Sequence, residues 1–141
     1  MRKLVILALA ALLAAAGCDD RSYRTIGAAI DVLTKKREGM PSAAIGRLKA
    51  IGRRSIPQIE TALHTADPHS RARLIAALDA IGDPESAHIL RHFGTYDTNA
   101  SVREACEEVL RRWAAANDRR SALANAALIA IAGKRKQGAA E

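Results

Sequence analysis

Aromatic side chains are scarce: one Trp, two Tyr and one Phe in 141 residues, or 3%. An all-β sandwich draws heavily on such residues for its strands, so the composition argues against that class. The same poverty removes the platforms on which single-stranded nucleic acid stacks its bases. Two cysteines, Cys18 and Cys106, can build neither a disulfide-dense scaffold nor a four-cysteine zinc site. No Gly-rich phosphate loop, no His-Glu-x-x-His and no Gly-x-Ser-x-Gly occurs. The longest run of apolar and small residues extends only from Leu4 to Gly17. It falls short of the roughly 20 residues that a helix needs to span a bilayer. What the chain does have is 49% apolar residues, drawn mainly from Ala, Leu and Ile, which favour helices. It also has 22 Lys+Arg against 15 Asp+Glu, a formal charge of +7. Its length suits one domain.

The N-terminus reads as an address. Arg2 and Lys3 precede the apolar run, and small residues end it, which is the pattern of a secretory leader. The run closes as Ala15-Ala16-Gly17-Cys18. This resembles the lipobox of bacterial lipoproteins, although that family more often places Leu where Ala15 stands. The resemblance implies that Cys18 receives a diacylglycerol and that residues 1–17 are removed. Residues 18–23 would then serve as lipid anchor and short linker. Stable anchoring needs two or more acyl chains, at about 0.8 kcal/mol per buried methylene. Asp19 resembles the signal that retains some lipoproteins in the inner membrane, and tilts the expected location that way. Cleavage would remove Arg2 and Lys3 and no acid, which lowers the formal charge from +7 to +5.

The remainder is periodic. Leu48, Ile51, Gly52 and Ile59 recur in the same order and spacing as Leu78, Ile81, Gly82 and Ile89. The period is about 30 residues, which is the scale of solenoid repeats. Another copy follows after a slightly longer interval. There Leu78 maps to Leu110, and Asp67-Pro68-His69-Ser70-Arg71 becomes Asn99-Ala100-Ser101-Val102-Arg103. Each period holds two helical patterns, with apolar residues three and four apart. The spacing predicts helices at about 24–37, 41–51, 56–65, 70–81, 85–93, 100–115 and 119–132. Gly52 and Gly82 suit left-handed helix ends. Ser55 and Asp83 read as N-caps, and Pro57 and Pro84 as first-turn prolines. A hairpin of this size cannot bury its apolar face alone, so stacking is expected.

The period, Ile-Gly-Asp-Pro-Glu at 81–85 and Asp-Pro-x-x-Arg at 67–71 resemble HEAT repeats, most closely the HEAT-like subtype of phycobilin lyases. The likeness is clearest over residues 41–115. It departs in the first repeat, where Pro41 replaces the motif arginine, and in the third, where Asn99 replaces the Asp. It implies an all-α fold: an α-solenoid of about three HEAT-like hairpins over residues 24–132, with a C-terminal capping helix. Residues 133–141 read as a basic disordered tail. In similar repeats the motif arginine bonds the Asp or Asn four positions earlier, so Asp67 with Arg71 and Asn99 with Arg103 are expected to form a structural ladder. Second helices line the inner face of such arrays. That makes Arg47, Arg73, Glu104, Glu107 and Arg111 the candidate partner-binding face.

No catalytic set, cofactor site or metal site is expected. His88 and His92 lie four apart, but no third ligand accompanies them, and His64 and His69 flank another turn. Cys106 sits on an apolar helix face beside Val109 and Leu110, as a small core residue does. Trp113 is expected to seal the last repeat. Basic clusters occur at 35–37, 53–54, 119–120 and 134–136. Without aromatics, and with export expected, they point away from nucleic acid and towards anionic surfaces. The leading expectation is a lipid-anchored, non-catalytic scaffold that binds an envelope protein. The alternatives are an accessory subunit of an enzyme or chromophore lyase, and a purely structural envelope lipoprotein. The oligomeric state is left open.

Overall fold

A computed structural model describes residues 21–139. The leader motif, Cys18 and Asp19 lie outside the described residues. Among those described there are helices and turns and no strand. α1 covers residues 21–33, followed by α2 (Pro41–Ile51), α3 (Ile56–Thr65), α4 (Pro68–Ile81), α5 (Ala87–Tyr96), α6 (Ala100–Ala115) and α7 (Ser121–Gly138). Short 3-10 turns, Gly52–Ser55 and Pro84–Ser86, lead into α3 and α5. Three hairpins and a closing helix are present, as the period predicts.

The positions that repeat in the sequence are the ones that pack. Leu48, Leu78 and Leu110 are all 0% exposed, and Ile59 and Ile89 are at most 1%. α2 stacks on α4 and α4 on α6, forming one layer. α3 pairs with α4 and α5 with α6, and α7 packs against both α5 and α6. Contacts therefore run between neighbours in sequence, and one continuous core of aliphatic residues links α1 to α7.

Helix ends follow the local chemistry. Asp67 accepts from the main-chain N–H groups of His69 (3.0 Å) and Ser70 (3.1 Å), so α4 begins at Pro68, slightly earlier than expected. Asn99 caps α6 through the Val102 N–H at 3.3 Å. Gly82, at φ 67° and ψ 25°, closes α4 in the left-handed region where a side chain would be strained. Three expectations at helix ends change. Ser55 is not a cap: its buried hydroxyl donates to the Gly52 carbonyl at 2.7 Å. α1 stops at residue 33, because Lys35 turns the chain at φ 58°. α7 runs on to Gly138, through residues 133–138 of the stretch 133–141 that reads as a disordered tail. Lys, Arg and Gln are good helix formers, basic residues suit a helix C-terminus, and Arg135 is tied to Glu107 of α6.

Candidate interaction surfaces

Neither pair of the expected ladder forms. Arg71 does not bond the side chain of Asp67. Its Nε lies 3.0 Å from Oδ2 of Asp97 and its Nη2 3.2 Å from Oδ1, while Nη1 donates to the Ala66 carbonyl at 3.1 Å. Arg103 likewise ignores the Asn99 side chain and donates through Nη1 to the carbonyls of Asp97 (2.7 Å) and Thr98 (3.2 Å). Asp67 and Asn99 are occupied as caps, so the arginines reach elsewhere. Asp97, whose side chain is 2% exposed, is the rung that joins two repeats. It sits in the turn where the third copy is lengthened, which is why the repeat register did not flag it.

A second junction forms around Trp113. Its indole Nε1–H donates to Asp79 of α4 at 2.7 Å, and Arg112 meets the other oxygen of that carboxylate at 2.7 Å. The Arg120 guanidinium lies over the ring, 5.5 Å from its centroid. Trp113 thus seals the last interface, as expected, and Asp79 is the polar partner that the sequence did not single out.

The candidate partner face fares unevenly. Arg47 and Glu104 are exposed and Arg73 is half-buried. Glu107 is 5% exposed, and its carboxylate holds Arg111 at 2.8 Å and Arg135 of α7. Glu107 therefore works inside the molecule, bridging α6 and α7. Helical phase put it with Glu104 and Arg111, but α7 covers it. Cys106 is fully buried, and burial together with the Asp97 and Glu107 charges pushes its thiol up to about 12. It is an inert core residue.

The opposite layer is more open. A groove of about 600 Å³ lies between α1 and α3, bordered by Tyr23, Asp31, Lys36 and Gln58. Rings of His64, His92, Phe93 and Tyr96 cluster where α3 meets α5, with the His64 and His92 centroids 6.0 Å apart. His88 lies 3.9 Å from Glu60. No group of three or more His, Cys, Asp or Glu among the described residues is placed to hold a metal. Two hollows, of about 350 and 230 Å³, follow the seam between α5 and α7. Several basic residues of the clusters are engaged internally: Arg53 with Glu85, Arg120 with Asp118, and Arg135 with Glu107. No helix among the described residues is long and apolar enough to cross a membrane.

These features define an all-α solenoid of stacked helical hairpins. The sequence pattern of HEAT repeats matches residues 9–111, and the chain belongs to that family. No curated protein and no solved structure matched it.

Proposed function

We propose that this HEAT-repeat protein is a lipid-anchored, non-catalytic scaffold that binds a protein partner at the bacterial cell envelope. HEAT repeats in general mediate protein–protein interaction. The observation that carries the finer reading is the apolar leader that stops at Cys18, just before the first described helix. An acylated Cys18 would hold the array at a membrane surface with its layers free for a partner. Asp19 favours the inner membrane.

Mass spectrometry of the mature N-terminus, combined with mild crosslinking in membranes, tests both parts. The expected result is an acylated Cys18 and one or a few stoichiometric neighbours. An unmodified N-terminus at Met1 would remove the anchor. A correctly acylated protein that crosslinks to nothing in defined stoichiometry would favour a purely structural envelope role.

A further inference from the structure

We propose that the seam between α5 and α7 is a binding trough for an acidic peptide segment of the partner. This deepens the reading of the array as a protein-binding scaffold and rests on it. Charge is the main ground. Neither α5 nor α7 contains a single Asp or Glu, whereas α6, between them in sequence, carries Glu104, Glu107 and Glu108 against three arginines. The hollow nearer the C-terminus of α7 is lined by Arg91 and His92 of α5 and by Lys134 and Gln137 of α7, with no carboxylate. Arg53, Arg71, Arg111, Arg112, Arg120 and Arg135 each meet a carboxylate. Among the described residues, Arg91 and Lys134 line a cavity that no carboxylate borders.

Shape is the second ground. Arg91 borders both hollows, so the two form one path along the seam. The other hollow is largely apolar, with Ala87 facing Leu123, Ala126 and Ala127. Leu123 and Tyr96 are large apolar side chains left 47% and 62% exposed at the seam. From Leu123 to Lys134 α7 advances about 16 Å, which roughly five extended residues span. A segment with one aliphatic side chain at its start and carboxylates further along would fill the apolar hollow and meet Arg91 and Lys134. A flat bilayer cannot enter a trough between two helices, so the geometry favours a peptide over a lipid surface. A second copy pairing through α7 would set basic Lys134 and Lys136 against basic residues, with no acid on the helix to offset them.

The test uses the full chain in a mild detergent and a fluorescein-labelled decapeptide of alternating leucine and glutamate, read by anisotropy. A leucine–glutamine peptide is the neutral control. The acidic peptide should bind and the neutral one should not. Arg91→Glu and Lys134→Glu should each weaken binding by about tenfold or more. Gly133→Met should do the same by filling the trough, and should keep its circular dichroism spectrum, because a Cβ at Gly133 meets no heavy atom within 4 Å. Lys49→Glu on α2, an exposed lysine outside both the trough and the candidate face, should leave binding unchanged. Equal binding of both peptides, or indifference to the Arg91 and Gly133 variants, overturns the trough. So does failure of the acidic peptide to bind while phosphatidylglycerol vesicles protect α7 amides from hydrogen exchange. In membranes, a partner that the trough variants still capture undiminished overturns the trough and leaves the scaffold standing. Charge-dependent peptide binding with no partner in membranes counts against the scaffold alone.

Discussion

Trp113 is the largest fully buried side chain among the described residues, at 1% exposure, in a chain poor in aromatics. Trp113→Ala should cost about 3–5 kcal/mol, through lost burial and the cavity left behind. Trp113→Phe keeps most of the area but abandons the bond to Asp79, and should cost about 1–3 kcal/mol. Urea denaturation of the two variants separates packing from the hydrogen bond. Asp67 sets a second residue-scale expectation. Hydrogen bonds from the Ser70 hydroxyl and main-chain N–H, then from the His69 N–H, hold its carboxyl down at about 2. Its folded value lies below an unfolded value of about 3.9, so its stabilisation is complete above that pH. It is lost as pH falls from about 4 towards 2. Asp67→Asn keeps the capping acceptor and removes the charge, so its melting temperature should fall less steeply over that window than the wild type's. Asp67→Ala should melt lower at every pH.

α7 is the element whose extent and role changed most between pattern and structure. It lacks acids, ends in Lys134, Arg135 and Lys136, and still remains helical to Gly138. Glu107 is the reason: one buried carboxylate receives Arg111 from its own helix and Arg135 from α7. Arg135→Ala should loosen the last turns of α7 and leave Glu107 short of one cation. Hydrogen exchange should report faster amides over residues 132–138, with the amides of α2 to α4 unchanged. Higher up, α7 lies so close to α5 that a Cβ at Gly94 would fall 3.0 Å from the Ile131 side chain.

At the scale of the molecule, stability passes from neighbour to neighbour along the stack, so the open ends are the vulnerable places. A chain ending at residue 120 would uncover the core side of α5 and α6 that Ala124, Ala127 and Ile131 now cover. It should bind a hydrophobic dye and melt well below the intact chain, with residual helix by circular dichroism. The hairpins, their period, the aliphatic core and the burial of Cys106 were all legible in the sequence, because periodicity and apolar spacing are local properties. The start of α4 at Pro68 lies two residues before the expected one, because Asp67 read as a ladder member and not as a cap. The partners of Arg71 and Arg103 were not legible. Caps had already taken the side chains of Asp67 and Asn99, and only folding shows that Asp97 is within reach. Glu107 read as a surface acid, because nothing in its own helix reveals that α7 covers it. The absence of acids in α5 and α7 was open to inspection, but two acid-free stretches separated by the whole of α6 say nothing about each other. Sequence alone determined which apolar residues each helix buries, since that depends on residues a turn apart. Tertiary structure decided which charged groups meet, since that depends on helices distant along the chain being brought within a few ångströms.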